Sequence, residues 1–387
     1  MTRPVVVVAP DAFKGSCSAT EAAAAIARGL QSVWAESVDV RLCPMADGGE
    51  GSLAVLTAPL GLDLVAVETV DAHGRPRSAQ IGITPDGRTA VIEAAMANGL
   101  PHVADVDARP RQAHTGGVGL LLRAALDRGV EEVLLAIGGS ASSDGGVGAL
   151  RALGCRFLDS AGEEIAVGAA GLAALVRIDT AGLHPRTATV RLRVLADVDN
   201  PLLGPRGTAT VFAPQKGADA DDVAAIEAGL AHLADVIAAS GGVEVAQTPG
   251  GGAAGGTPAT LVGLLDARIE PGSTVITDLA GLPALAQSAA LVITGEGAFD
   301  AQSLDGKVVS AVSATVAGRC PLAVLAGRVD VPLKQAQRAG VSAMFSIARG
   351  PAPLADLVRD VTGLLEQAAA NIAALVGPQD FLRPKIR

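Results

Sequence analysis

At six places in the chain an acid or a lysine sits among small residues just where an apolar run ends. They are Asp11 with Lys14, Asp47 with Glu50, Asp144, Asp197 with Asp199, Glu296 with Asp300, and Lys307. Carboxylates and ammonium groups on glycine-rich backbone, with the five histidines scattered, suit phosphoryl transfer with Mg²⁺. That reaction needs positioning and charge neutralisation more than covalent chemistry. It also needs a carboxylate to orient or deprotonate the acceptor hydroxyl. Asp197 is the best placed, as the first acid after the run Val190–Leu195, in a turn that Asn200-Pro201 forces out of helix. The lysines carry a second signal. Only five of the thirty cationic residues are Lys, and Lys14, Lys216 and Lys307 all fall in glycine-containing motifs, whereas Lys334 and Lys385 do not. Where Arg is the default cation, a Lys in such a loop points to a compact ammonium meeting phosphate or carboxylate oxygens.

The elements that must hold these groups are strands feeding helices. Val133–Gly148 (VLLAIGGSASSDGGVG) is an apolar run, a small-residue turn and a helical start. Its run suits a strand buried on both faces, and its helix start suits an anion on free N–H groups. Ligands of open α/β sheets collect beyond such carboxyl ends. Val5–Ala9, Val38–Leu42, Val190–Leu195, Leu291–Thr294, Leu322–Leu325 and Val341–Ser346 read as further strands. Ser18 to Glu21 is a capping box that starts a helix reaching Trp34; Val308–Val316, 333–339 and 353–375 read as helices. Leu64–Val70, Ala79–Ile83 and Thr89–Glu93, separated by turn signals, read as an antiparallel patch. Pro249–Gly256 is a glycine loop whose backbone should closely approach something. The tail from Pro378 reads as loosely attached.

Composition narrows the function classes. With 387 residues, 49% hydrophobic and 18% charged, the chain is a folded protein long enough for two domains. A net charge of −10, six Phe, one Trp and no Tyr argue against a nucleic-acid partner. Cys17, Cys43, Cys155 and Cys320 form no C-x-x-C pair, which fits a reducing cytoplasm. The uncharged stretches Val245–Leu265 and Leu279–Gly295 are broken by Gly, Pro and polar residues, so no membrane span is expected. There is no Walker-A loop, no G-x-G-x-x-G after a strand and no G-x-S-x-G elbow.

Seven motifs, in order and across nearly the full chain, resemble the type-1 bacterial glycerate kinases. They are Pro10–Ser16, Met45–Gly51, Ile137–Gly146, Asp197–Leu202, Phe212–Ala218, Gly250–Gly256 and Gly295–Lys307. The resemblance implies an α/β protein of two α/β domains. One is a Rossmann-like parallel-sheet domain built from both chain ends, 1–60 and 290–387; the other is an inserted mixed-sheet domain, 61–289, with strand 133–137 assignable to either. It implies ATP-dependent phosphorylation of glycerate, most often at the 2-hydroxyl, with ATP and Mg²⁺, in a cleft between the domains. A homodimer is compatible with it. The catalytic residues expected are Asp197, Lys14 and Lys307. Those expected at substrate or nucleotide are Ser16, Asp47, Gly138, Gly139, Ser140, Asp144, Asn200, Lys216, Gly251, Gly252, Gly295 and Gln302. Glu296 and Asp300 are expected at the metal. One departure stands out: Ser142-Ser143 occupies the place where the family pattern has Thr-Asn.

Overall fold

A computed structural model describes residues 3–304 and 306–382. The protein is α/β and divides into two compact units. The first comprises residues 1–47, 54–59 and 273–387; the second comprises 48–53 and 60–272.

The first unit is built on a five-stranded, all-parallel sheet. Its order is Ala343–Ser346, Leu322–Val329, Ala289–Phe299, Val5–Val8, Asp39–Leu42. Val5–Val8 is buried throughout, as a central parallel strand covered by helices must be. From the central pair, Val5–Val8 and Ala289–Phe299, the chain leaves in opposite directions along the sheet. The first connection, Ala19–Trp34, begins at the expected capping box: the Ser18 side chain accepts from the Glu21 N–H, and the Glu21 side chain reaches back to the Ser18 N–H. It packs on Val361–Leu375 over one face of the sheet. Gly29 makes that crossing possible, because a Cβ there would lie 2.0 Å from the Glu366 carbonyl oxygen. The other connection, Val308–Val316, shares the opposite core with Val7, Val292 and Val324. Oppositely directed connections create the crevice where ligands of open α/β sheets bind.

Several expectations are corrected. Residues 273–289 were grouped by sequence with the inserted domain, yet they belong to the first unit. Leu282 is fully buried in the Val7–Val292 core, and the Ser273 hydroxyl donates to the Gly306 carbonyl. The strand expected to end at Thr294 runs on to Phe299, paired with Leu322–Val329, so Glu296 sits on a strand and not in a loop. The helix expected over 353–375 is two helices, Leu354–Arg359 and Val361–Leu375. The chain beyond Pro378 is anchored at Phe381, whose ring meets Trp34 edge-on at 5.6 Å.

The second unit carries a six-stranded mixed sheet: Arg268–Glu270, Arg191–Leu195, Glu132–Ala136, Thr89–Glu93, Pro76–Ile83, Asp63–Val70. The first four run parallel and the last two pairings are antiparallel. A short hairpin pairs Arg156–Leu158 with Arg177–Asp179. One aliphatic core, with Phe157 as its aromatic member, joins these strands to helices Gly116–Asp127, Ala220–Ala239 and Thr257–Leu265. Strand Glu132–Ala136 lies in this unit. Among the described residues no helix is long and apolar enough to cross a membrane.

Candidate active site

In the first unit a cavity of about 770 Å³ opens beyond the carboxyl ends of the sheet. Its polar floor comes from the loops after Val5–Val8 and Asp39–Leu42, the ends of Ala289–Phe299 and Leu322–Val329, and the start of helix Val308–Val316. Asp11, Lys14, Asp47, Glu296, Asp300 and Lys307 line it, with Ser16 and Arg328. Two backbone bonds hold the loops in register: the Asp11 N–H donates to Gly295 O at 2.8 Å, and the Met45 N–H to Pro10 O at 2.9 Å. The size suits a nucleoside triphosphate.

The charges in this floor are strongly coupled. Lys14 Nζ donates to Asp47 Oδ2 at 2.8 Å. Burial works against the Lys14 ammonium, but Asp47, Asp11 and Glu296 outweigh it and hold its pKa above the ordinary value. Asp11 is 7% exposed, and burial, together with the Asp47 charge, pushes its carboxyl up to about 7. Glu296 is 9% exposed and is pushed to about 7 by burial, against the pull of Ser303 and Lys307. Its Oε1 is buried with no protein partner. Two acids of such raised pKa at one crevice mark a functional site more than a structural ion pair. Asp11 had no role in the sequence assignment. The signal was available, because Asp11 is the first acid after a buried strand, as Asp197 is.

Asp300 accepts from the Gln302 N–H at 2.9 Å and the Ser303 N–H at 3.3 Å through Oδ1. Part of its carboxylate is therefore spent on fixing the turn. Gln302 is not at the cavity; it holds Lys307, whose Nζ donates to Gln302 Oε1 at 3.4 Å. Gly295 is needed because a Cβ would lie 2.3 Å from Leu325 O in the neighbouring strand. Among the described residues no group of three or more His, Cys, Asp or Glu is disposed to cage a metal ion. Mg²⁺ asks for less, one or two carboxylates beside substrate phosphates and water. The unpartnered Glu296 oxygen fits that requirement, with Asp300 close enough to raise the Glu296 pKa.

The remaining candidates lie in the second unit. Lys216 is buried, and its Nζ donates to Ser140 Oγ at 3.0 Å and Ser142 O at 2.5 Å. Burial lowers its pKa to about 8, against the pull of Asp144. Lys216 thus braces the turn after Glu132–Ala136 from inside. Asp144 is engaged from within the protein. It is fully buried, and its carboxylate accepts from the Thr115 N–H and hydroxyl and from the N–H groups of Gly146 and Gly148. At the helix start expected to bind an anion, Val147–Ala152, the Gly148 N–H already donates to that carboxylate. Gly138 packs against Gly49, whose Cα a Cβ would approach to 2.6 Å; Gly139 sits at φ +81°. Ser142 Oγ accepts from Asn98 Nδ2 at 2.8 Å, while Ser143 Oγ is buried without a protein partner.

Asp197 follows strand Arg191–Leu195 and is half-buried. Asn200 ties its turn down: Nδ2 donates to Arg206 O at 2.7 Å and its carbonyl accepts from the Gly252 N–H at 2.9 Å. The close approach expected of the glycine loop is therefore to this turn. A Cβ at Gly252 would lie 2.1 Å from Pro201 O, and one at Gly251 would lie 2.9 Å from Thr248 O. Packing alone already requires glycine at both positions. Lys385 lies outside the described residues.

This geometry sits within a recognisable family. The model of the glycerate kinase family matches residues 6–377. Glycerate kinase of Bacillus subtilis (strain 168) is 40% identical over 96% of this chain and 97% of its own length. Glycerate 2-kinase of Escherichia coli (strain K12) is 38% identical over 95% of this chain and 97% of its own. A crystal structure of a chain assigned as glycerate kinase 2 from Salmonella typhimurium LT2 superposes with a TM-score of 0.83. It is 37% identical and covers 97% of this chain and 98% of its own. An acid-and-lysine crevice at the switch point of a parallel sheet thus lies in a chain that matches these phosphotransferases from end to end, and the protein belongs to the glycerate kinase family.

Proposed function

We propose that the protein transfers the γ-phosphoryl group of ATP to the 2-hydroxyl of glycerate, giving 2-phosphoglycerate and ADP. The observation that carries this reading is the first unit's cavity, where Lys14 and Lys307 share one floor with Asp11, Asp47 and Glu296. Lys14 and Lys307 approach the phosphate oxygens as compact charges and offset the charge that spreads over them in the transition state. Ser16 adds a hydroxyl at the same loop. Mg²⁺, held by Glu296 and Asp300, would supply further charge neutralisation on the phosphates. Asp197 takes the proton of the acceptor hydroxyl as its oxygen bonds to phosphorus and the bond to the ADP oxygen breaks. Asn200 and the Lys216–Ser140 brace keep the second unit's loops in place for the acceptor.

Because Asp197 and the two lysines lie on different units, we further propose that the units close on the substrates in the reacting complex. Closure also excludes water that would otherwise hydrolyse ATP. The expected result is a smaller radius of gyration by small-angle scattering with glycerate and a non-hydrolysable ATP analogue; an unchanged radius would exclude a large hinge motion. We place the enzyme in the cytoplasm, where Cys17, Cys43, Cys155 and Cys320 persist as the free thiols the structure contains.

The deciding experiment is coupled ADP release with D-glycerate, followed by phosphorus NMR of the product. A 2-phosphoglycerate signal supports the full reading. A 3-phosphoglycerate signal overturns the regiochemistry, and turnover only with another small hydroxy acid overturns the acceptor. The latter is where the Ser142-Ser143 departure would show itself.

A further inference from the structure

The same cavity has a second half of opposite character. Ile347, Ala348, Leu354, Leu357, Val358 and Val361 form one aliphatic wall. On the helices Leu354–Arg359 and Val361–Leu375, the residues facing this cavity are all aliphatic, whereas Asp356 and Asp360 line an adjoining recess of about 390 Å³ that shares Ala352, Leu357 and Leu364 with it. Leu354, 75% exposed, lies at the solvent edge of this wall.

Two backbone donors of this wall are already engaged. The Ile347 N–H donates to Ala326 O at 2.9 Å, and the Ala348 N–H to Ser346 Oγ at 3.2 Å. The loop that follows contains Pro351 and Pro353, which have no N–H. A flat, weakly polar group tethered to phosphates on the charged floor would cover this wall, and the base of a nucleoside triphosphate has that shape. A hydrogen-bond readout of the base edge would need fixed donors and acceptors, and the side chains of the wall supply none.

We infer that the enzyme holds the nucleotide base by apolar contact with the Ile347–Val361 wall and therefore discriminates weakly among nucleoside triphosphates. This rests on the phosphotransfer reading above and adds the basis of donor selection. Apolar pockets separate similar ligands by only about 10–200-fold, whereas sites built to hydrogen-bond a particular group reach about 10⁴–10⁵. The shape of the wall and the reach from the floor set affinity, and base identity contributes little.

The test compares ATP, GTP, CTP and UTP at saturating glycerate, alongside calorimetric titration of each nucleotide into the protein without acceptor. The expected spread in kcat/KM, and in Kd, is within about 100-fold. A preference for one base above about 10³ in either measurement overturns the inference. Leu354→Asn locates the wall: being so exposed, the side chain is dispensable for folding, which melting curves verify. Its nucleotide KM should rise about tenfold for all four bases, as for losing one apolar contact, with the KM for glycerate unchanged. An unchanged nucleotide KM, or a rise for one base only, also overturns the inference. The titrations keep the two readings apart. Nucleotide binding with a narrow spread but no phosphorylation of glycerate would sink the proposed reaction and leave this inference standing.

Discussion

Glu296→Gln should make the protein more stable and less active, and the gain should depend on pH. The carboxyl of Glu296 is 9% exposed, keeps one oxygen without a partner, and sits at about 7 instead of 4.5. An acid whose pKa is raised by folding favours the fold while it is protonated. Its contribution is therefore fully present below pH 4.5 and is lost as pH rises from 4.5 to about 7. Holding the ionised form at pH 8 costs the fold roughly 3 kcal/mol. A glutamine of the same shape removes that cost. For a domain of the first unit's size this corresponds to a rise in Tm of roughly 6–10 °C at pH 8. Differential scanning calorimetry of both proteins between pH 4.5 and 8 gives the assay. The difference in Tm should be near zero at the acid end and grow steadily towards pH 8. Activity should meanwhile fall by about 10² or more in kcat/KM, since a preorganised charge is lost. A variant that melts at or below wild type at pH 8, or a difference that does not change with pH, would refute the assignment of a strained, ionisable Glu296.

Three other expectations follow from particular contacts. Asp197→Asn should lower kcat by about 10²–10⁴ with little change in the KM for glycerate; a wild-type kcat in steady-state assays would move the base to Asp11 or Asp47. Lys14→Arg and Lys307→Arg should each cost about 10²–10³ in kcat/KM at unchanged Tm, with Lys334→Arg as the silent control. Lys216→Arg, in contrast, should lower Tm first, because the fully enclosed ammonium bonded to Ser140 and Ser142 leaves no room for a guanidinium. Gly29→Ala should destabilise the first unit by about 2–4 kcal/mol, read as a lower urea midpoint, because its methyl group would fall on the Glu366 carbonyl.

The parts of this architecture that follow local rules were readable before any coordinates. Buried strands such as Val5–Val8, the Ser18–Glu21 capping box and the helix Val308–Val316 are set by neighbours in sequence, and they stand where periodicity puts them. So were the floor residues Lys14, Asp47, Glu296 and Lys307, because acids and lysines at strand ends announce themselves. What could not be read depends on contacts distant in sequence. Asp144 looks like any acid in a glycine turn until Thr115 is found donating to it. Gly251 and Gly252 look like a phosphate cradle until the Asn200–Pro201 turn is found where a Cβ would go. The aliphatic wall is invisible in sequence, since leucines that face a ligand and leucines that face a core have the same spacing. Residues 273–289 cluster with the first unit for a related reason, through contacts such as Leu282 against Val7 and Val292 that are distant in sequence.

The central pair of the parallel sheet joins Val5 to Ala289, and this imposes an order of events during synthesis. When the first strand leaves the ribosome, the strand on its inner side does not yet exist. At about 5–20 residues per second it is made some 15–60 s later. The second unit, by contrast, is encoded almost without interruption between residues 60 and 272, so nearly all of that interval is spent making it. The nascent protein must therefore carry a very apolar VVVV segment, with an open edge, while its neighbour is being made. Its yield in a cell should depend on what shelters that segment in the interval, and slowing translation should harm the first unit far more than the second.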